Sequence, residues 1–157
     1  RMEESSLHIH HKTPFRTFTN PIEANQPWNL VTLCPACHRR AELVVRTRSG
    51  LNGLKYVLLN LAPLFVMCDP TDLGSFADPK ASFAENKPAV MIYDHVPGGI
   101  GLSQALFQTH EQLLSGSRDL MSGCPCEDGC PGCVGPAGEN GTGGKIETLT
   151  ILKALTE

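Results

Sequence analysis

The first third of the chain alternates between apolar and polar residues in two short stretches, which is typical of strands. Residues 7–11 alternate with a period of two, and residues 29–33 form a second such stretch after a loop rich in proline and asparagine over 13–27. A helix is expected to follow from Cys34 to about Arg46, because Pro35 and Ala36 suit its first turn. We therefore predict the order strand, loop, strand and helix.

Further along, leucine and valine recur at helical spacing and predict an amphipathic helix over residues 51–61. Residues 63–68 are expected to continue as a buried strand or a short helix, ending in a turn over 69–74. The polar residues 78–87 predict a loop. The nearly continuous apolar run 89–93 predicts a buried central strand.

Helices and a flexible loop complete the chain. A glycine-rich turn opens a helix that is expected to end near Gly116, and a glycine-rich loop over 135–144 precedes a last helix over 145–155. The predicted fold class is α/β or α+β, with helices packed on a small sheet. We expect two domains, residues 1–50 and residues 51–157.

Composition limits the class of protein. A chain of 157 residues with 41% hydrophobic residues is long enough for one domain with a core or for two small modules. Asn60 and Pro63 interrupt the longest apolar stretch, Leu54 to Cys68, so we expect no membrane-spanning segment. Nothing in the chain resembles a signal peptide, which favours a cytoplasmic location.

The two parts of the chain carry opposite charge. Residues 1–60 have a net charge of +4 and residues 61–157 a net charge of −7. The first part is therefore the candidate for contacting phosphates, although a solvated helix face often carries as many basic groups. The basic residues that we expect to contact nucleic acid are Lys12, Arg16, Arg39, Arg40, Arg46 and Arg48.

Four of the seven cysteines lie within ten residues, in the pattern C-x-C-x3-C-x2-C. Four thiolates at this density can surround one tetrahedral zinc ion and leave no position open for water, which is typical of a structural site. Gly129 and Gly132 suit turns that need a positive φ. Two disulfides are the alternative, but the cysteine count is odd and no signal peptide precedes them. The candidate ligands are Cys124, Cys126, Cys130 and Cys133.

A glycine-rich turn joins the predicted strand 89–93 to the next helix. Backbone N–H groups in such a turn can bind an anion, so the residues Asp94, Gly98, Gly99 and Gly101 are candidates for a phosphate loop. The alternative is a tight corner whose glycines permit close packing.

A third set of residues lies in the basic part of the chain. His10 and His11 form a doublet, Asn29 follows, and His38 closes the sequence Cys34-x-x-Cys37-His38. This arrangement resembles the HNH, or ββα-metal, nuclease motif. The resemblance implies that His10 and His38 bind magnesium or manganese, that His11 activates water as general base, and that Asn29 holds the loop and orients His11.

Two features depart from the HNH pattern. Cysteine-bearing members close a structural zinc site with two C-x2-C pairs, whereas Cys34 and Cys37 supply one pair. The other pair lies upstream of Arg1 in a longer protein, or this half-site is empty. Glu42 stands four residues after His38, where some members have another histidine, and a carboxylate can replace it as a ligand. A scaffold that only packs or grips DNA is the alternative to a nuclease.

The second part of the chain resembles another family over roughly residues 68–157. The sequence from Ile92 to Ser103 and the four-cysteine pattern look like the C-terminal zinc-binding domain of DEAD/DEAH-type superfamily 2 helicases, the MrfA zinc-binding family. The resemblance implies zinc on the four cysteines, DNA as a partner and an association with DNA repair or phage defence. No G-x-x-x-x-G-K-[ST] sequence or Asp-Glu box is present, so we expect the ATPase motor elsewhere, in cis or on a separate chain.

Three functions therefore remain open. The preferred one is a zinc-binding accessory module of an ATP-dependent DNA helicase, which grips nucleic acid and positions domains. The second is an HNH-type metal-dependent endonuclease. The third is a protein-interaction adaptor with structural zinc, whose acidic second half docks a motor domain.

Overall fold

The computed structural model describes residues 7–135 and 144–157, apart from the side chain of Arg16. The chain divides into two units, residues 1–46 and residues 47–157. Except for its two end residues, the predicted glycine-rich loop 135–144 lies outside the described residues.

The first unit contains the predicted pair of strands. β1 (His8–His11) and β2 (Leu30–Leu33) are antiparallel, with His10 opposite Val31. The loop between them includes one helical turn, α1 (Pro21–Ala24), whose first residues are capped by the side chain of Asn20. This confirms the predicted order of strand, loop, strand and helix.

The helix that follows is much longer than predicted. α2 (Pro35–Val66) is continuous, so the expected end near Arg46 and the expected separate element at 63–68 are wrong. Gly50 lies inside the helix at a position where α5 (Lys145–Thr156) packs closely against it. A Cβ at Gly50 would lie 2.6 Å from Cδ1 of Ile151. A side chain at Gly53 would collide with Thr148. The glycines therefore permit a close helix contact and do not break α2.

The second unit has a sheet of its own. β3 (Leu73–Ala81) and β4 (Lys87–Asp94) are antiparallel, with Phe76 opposite Met91. The predicted loop over 78–87 is therefore partly strand.

The apolar run 89–93 is not a buried central strand, because β4 has β3 as its partner in a two-stranded sheet. Met91 and Tyr93 are about 40% exposed, whereas Val90 and Ile92 pack against the core. The alternation shows that β4 has one face in solvent.

Two helices replace the single helix that was expected after residue 101. α3 (Leu102–Gln108) and α4 (His110–Gly123) meet at Thr109, and α4 continues past Gly116. The core of this unit is formed by residues from α2 to α5, β3 and the four-cysteine stretch, namely Leu54, Val57, Leu58, Ala62, Leu73, Leu106, Leu113, Met121, Cys133, Val134 and Leu152.

The structure confirms a mixed α+β fold, with two two-stranded antiparallel sheets and packed helices. Within the part of the chain that the structure describes, no helix has both the length and the apolar character needed to cross a membrane.

Candidate metal centres

The four clustered cysteines come together between α4 and α5. Sγ of Cys124 lies 3.4 Å from that of Cys126 and 3.5 Å from that of Cys130. Sγ of Cys133 lies 3.5 Å from that of Cys126 and 3.7 Å from that of Cys130. Zinc bound to four thiolates at about 2.3 Å separates the sulfurs by about 3.8 Å, whereas a disulfide separates them by about 2 Å. The four thiols fit a tetrahedral ion and not two disulfides.

The local backbone explains how the sequence reaches this geometry. Gly129 has a φ of +127° and turns the chain between the first and second cysteine pairs. The carbonyl of Cys130 then accepts hydrogen bonds from the backbone N–H groups of Cys133, Val134 and Gly135. The positive φ expected at Gly132 is not found there; it occurs at Gly135, which packs against the ring of Tyr56.

Two residues from other elements hold the four-cysteine loop, residues 124–133, in place. The hydroxyl of Tyr56 on α2 donates to the carbonyl of Pro131 at 2.7 Å. Lys145 Nζ donates to the carbonyls of Cys124 and Cys126 at 2.6 and 2.7 Å. Because Cys133 is also part of the core, the loop is fixed on several sides.

The thiols of this loop differ in their pKa values. The backbone N–H and thiol of Cys126 help to hold the pKa of Cys124 at about 7. Burial raises the pKa of Cys126 and raises that of Cys133 to about 12. The set therefore does not ionise completely at neutral pH by itself, and a divalent cation is the partner that would favour four thiolates. The donor set fits zinc.

A second cluster lies in the first unit. Nδ1 of His10 is 3.5 Å from a carboxylate oxygen of Glu42, and Nε2 of His38 is 4.0 Å from the same oxygen. The rings of His10 and His38 are 5.3 Å apart. These three side chains can offer two imidazole nitrogens and one carboxylate oxygen to a single ion. Such a set suits a divalent transition metal and leaves coordination positions open.

His11 lies on the other face of β1, because successive side chains of a strand point in opposite directions. Its Nε2 is 3.0 Å from Oδ1 of Asn25. With Nε2 donating to this oxygen, Nδ1 is the nitrogen that can accept a proton. The contact that orients His11 thus comes from Asn25.

Asn29 is completely buried and ties the loop together. Its Oδ1 accepts from the backbone N–H of Thr13 at 2.8 Å, and its Nδ2 donates to the carbonyls of Thr13 and Ala24 at 3.1 and 2.8 Å. Two of these hydrogen bonds join the two ends of the segment that connects β1 to β2, and the third holds α1 to its second end.

Cys34 and Cys37 lie beside the first turn of α2 and interact with each other. The backbone N–H and thiol of Cys37 lower the pKa of Cys34, and the hydrogen bond with Cys34 raises the pKa of Cys37. Among the described residues they are not part of a cluster of three or more possible metal ligands. They remain half of a possible zinc site.

The basic residues are exposed along the N-terminal half of α2. Arg39 and Arg46 are seven residues apart, which places them on one helix face, and Nε of Arg46 lies 3.9 Å from Glu42. Arg40 and Arg48 are exposed as well. Nζ of Lys12 donates to the carbonyl of Trp28. The side chain of Arg16 lies outside the described residues.

In the proposed phosphate loop, the backbone N–H groups bind a carboxylate of the chain itself, that of Asp94. Oδ2 of Asp94 accepts from the backbone N–H groups of residues 100–102 at 2.7 to 3.2 Å, and Oδ1 accepts from that of Ser103 at 2.6 Å. These bonds lower the pKa of Asp94 to about 2, the bond from Ser103 most of all. Gly98, Gly99 and Gly101 have φ between +70° and +88° and shape this turn. A phosphate would have to displace Asp94 to reach these N–H groups, so the phosphate loop stays a prediction.

Four of the residues described above were not among the predicted site residues. Glu42 had been noted as an allowed ligand, and its position four residues after His38 is the signal that places both on one helix face. Asn25 and Tyr56 stand in stretches whose sequence shows no metal-site pattern. Lys145 carries one weak signal: a cation at the first residue of a helix is unfavourable beside the helix dipole.

Two family models match the chain. Residues 54–134 match the MrfA Zn-binding domain, a range that includes all four clustered cysteines. Residues 1–42 match the HNH endonuclease family, a range that includes His10, His38 and Glu42.

Similar proteins include helicases of much greater length. The chain is 35% identical over 106 residues to the ATP-dependent helicase YprA of Bacillus subtilis (strain 168), covering 68% of this chain and 14% of that helicase. The crystal structure of the DUF1998 helicase MrfA bound to DNA is similar with a TM-score of 0.61 and 33% identity, covering 70% of this chain and 14% of that one. The chain thus spans about a seventh of these helicases.

A shorter relative also exists. Protein MJ1572.1 of Methanocaldococcus jannaschii is 28% identical over 86 residues, which cover 54% of this chain and 77% of that protein. The shared region therefore forms most of at least one small protein.

Proposed function

Because the chain belongs to the MrfA Zn-binding domain family, we propose that it is the zinc-binding accessory module of an ATP-dependent DNA helicase. In this role it binds nucleic acid and positions neighbouring domains, while the ATPase motor lies in cis or on a separate chain. The observation that carries the proposal is the set of four Sγ atoms 3.4 to 3.7 Å apart within the family-matched region.

The role of the zinc is structural. Cys124, Cys126, Cys130 and Cys133 would hold it, and four thiolates leave no open position for a reacting water. Cys133 and Val134 belong to the core of the second unit, so zinc would fix the connection between α4 and α5. Bound zinc supplies folding free energy and no chemistry at this site.

Nucleic-acid binding rests on the basic residues of the first unit. Arg39, Arg40 and Arg46 are exposed, and Arg39 and Arg46 share a helix face. Guanidinium groups bind phosphate oxygens with paired N–H donors, which favours a DNA backbone as the partner. The related helicase MrfA has been crystallised with DNA, which supports the same class of partner for this chain.

The salt dependence of DNA binding tests this proposal. We expect the logarithm of the association constant to fall steeply with the logarithm of salt concentration, with a slope that becomes shallower by about 2 when Arg39 and Arg40 are both changed to Ala. The matched control changes Lys80 and Lys153 to Ala, which removes the same charge from exposed positions of the second unit. An equal loss in both double variants would reject the basic helix as the contact. No binding of the native chain would favour an adaptor that contacts only proteins.

A second function is supported by the cluster of His10, His38 and Glu42 in the HNH-matched region. These residues would hold magnesium or manganese, which stabilises negative charge on phosphate oxygens when bound. His11, held by Asn25, would take a proton from water, and Asn29 would keep the loop between the strands in position.

Plasmid nicking with added manganese tests the nuclease. His11→Ala should abolish nicking, whereas His95→Ala, a change at an exposed histidine of the second unit, should leave it unchanged. Nicking that survives in His11→Ala would reject the assigned base. If neither the native chain nor the control nicks DNA, the first unit serves to bind only.

A further inference from the structure

Lys145 places a positive charge against the backbone of the four-cysteine loop. Its Nζ donates to the carbonyls of Cys124 and Cys126 at 2.6 and 2.7 Å, and its backbone N–H donates to the carbonyl of Asp128 at 3.1 Å. One residue thus makes three hydrogen bonds to one loop, although it follows Cys133 by twelve positions in the sequence.

This position is unfavourable for a lysine by itself. The residue is only 9% exposed, and lysines are rarely buried without a partner of opposite charge. It is also the first residue of α5, where the helix dipole disfavours a cation. Within residues 7–135 and 144–157 the ion pairs do not include Lys145. The described carboxylates therefore do not supply its counter-charge.

We propose that Lys145 is the positioning residue that neutralises the charge of the zinc site. Four thiolates and one zinc ion carry a net charge of −2, and a buried ammonium bonded to the backbone of two of the ligand residues offsets part of it. The inference rests on the zinc site of the proposed function. Lys145 lies outside the family-matched range 54–134, so the family match does not assign it this role.

The start of α5 is also held by contacts that do not involve the side chain of Lys145. Leu152 and Thr148 on this helix are completely buried, and the hydroxyl of Thr148 donates to the carbonyl of Gly144 at 2.9 Å. The hydroxyl of Ser49 on α2 accepts from the backbone N–H of Gly144 at 2.8 Å, just before Lys145. Loss of the lysine charge should therefore weaken zinc binding more than it weakens the packing of the helix, because these other contacts remain.

Competition with a chromogenic zinc chelator measures this directly. Lys145→Met in the full chain should bind zinc about 10-fold or more weakly, the effect that loss of an outer-shell partner has on a metal site. Lys145→Gln, which keeps a hydrogen-bond donor but not the charge, should show a similar loss, and Lys145→Arg should restore most of the affinity. Lys153→Met is the matched control, since it removes a lysine from an exposed position of the same helix.

A destabilising variant without a charge change separates the two possible causes. Ser49→Ala removes a hydrogen bond at the start of α5, so it should lower the melting temperature while weakening zinc binding less than Lys145→Gln does. Zinc affinity is compared for Ser49→Ala and Lys145→Gln when their melting temperatures are lowered equally. If both variants then lose the same zinc affinity, Lys145 acts only through the stability of the fold and the inference is overturned.

The native chain distinguishes this inference from the proposed function. Absence of zinc from the native chain would reject the zinc site and the inference together. Zinc bound with native affinity by Lys145→Met and Lys145→Gln would overturn the inference alone. Even if Lys145→Met fails to fold, Lys145→Gln and Lys145→Arg still give the comparison of charge.

Discussion

The two candidate metal centres are built in opposite ways. The four cysteines lie on a loop held by α2 and α5, and Cys133 is 1% exposed within the core. His10, His38 and Glu42 lie on a short strand and on α2, and their side chains are 11%, 23% and 44% exposed. The first centre is part of the core of its unit, whereas the second is open to solvent on one side.

The difference separates a structural ion from one that can take part in chemistry. Four thiolates occupy all coordination positions of a tetrahedral zinc ion, and Cys133 among them lies in the core. Zinc binding and the packing of the core therefore depend on each other. Two imidazoles and a carboxylate leave positions for water or a phosphate oxygen. We therefore expect removal of the first ion to unfold its unit and removal of the second to leave the fold intact.

The largest expected effect comes from Cys130→Ser. This change removes one of four ligands, so the chain should lose nearly all of its zinc from this loop and its melting temperature should fall by roughly 10 °C or more. Metal analysis by mass spectrometry and thermal unfolding by circular dichroism measure the two quantities.

Cys37→Ser is the matched control for this prediction, because it removes an exposed thiol from the first unit. It should leave the zinc of the four-cysteine loop in place. A loss of one zinc ion in Cys37→Ser would instead mean that the half-site of Cys34 and Cys37 is completed by further ligands. A stable, zinc-loaded Cys130→Ser would remove the proposed dependence of the core on the ion.

The next effect in size concerns the loop of the first unit and needs no metal. Asn29→Ala removes three hydrogen bonds from a buried site and leaves groups of Thr13 and Ala24 without them, which should cost about 2 to 4 kcal/mol. Asn25→Ala removes one exposed hydrogen bond to His11 and should cost less than about 1 kcal/mol. Urea unfolding measures both, and equal losses would contradict the assigned roles.

The sequence predicted both clusters because each depends on spacing that the local backbone preserves. Four cysteines within ten residues need only local turns to bring their thiols together. His10 and His38 are distant in sequence, but the predicted pair of strands followed by a helix brings their positions together. Such predictions need only local structure and one strand pairing.

Long-range packing explains what the sequence did not predict. Gly50 suggests a helix end when it is considered alone, and only the contact with Ile151 on α5 explains its position inside α2. Lys145 bonds to carbonyls 21 and 19 residues earlier in the sequence, a distance over which no local pattern predicts a contact. Asp94 was a candidate for a phosphate loop because a pattern of glycines predicts a turn that can bind an anion. The pattern does not identify which anion the turn binds.

A smaller effect on stability is expected at the second metal centre. His38→Ala should weaken manganese binding at least about 10-fold while changing the free energy of unfolding by less than about 1 kcal/mol, because the ring is partly exposed and is not in the core. Isothermal titration calorimetry and urea unfolding give the two values. Glu42→Gln, which keeps the shape of the side chain, should weaken binding without affecting stability. Unfolding of His38→Ala would make the two centres alike and contradict the comparison.

The last prediction concerns a loop of the second unit that is organised by a carboxylate and not by a metal. The backbone N–H and side chain of Ser103, with the backbone N–H groups of Ile100 and Gly101, lower the pKa of Asp94 from 3.8 to about 2, so its stabilising contribution is complete above about pH 5. As the pH falls through 3.8 towards 2, the unfolded chain takes up this proton before the folded chain does, and the contribution is lost.

Asp94→Asn tests this assignment by the slope of stability against pH. The variant should be less stable than the native chain at pH 7 and should lose less stability between pH 4 and pH 2, since the amide cannot take up the proton. Asp78→Asn is the matched control, because Asp78 also accepts a backbone N–H, from Lys80, but only one. Stability is compared as the difference between each variant and the native chain at the same pH, with zinc content measured alongside, so that acid release of zinc common to all chains cancels. An unchanged slope in Asp94→Asn would mean that other carboxyl groups cause the loss of stability in acid, and it would contradict the role assigned to Asp94.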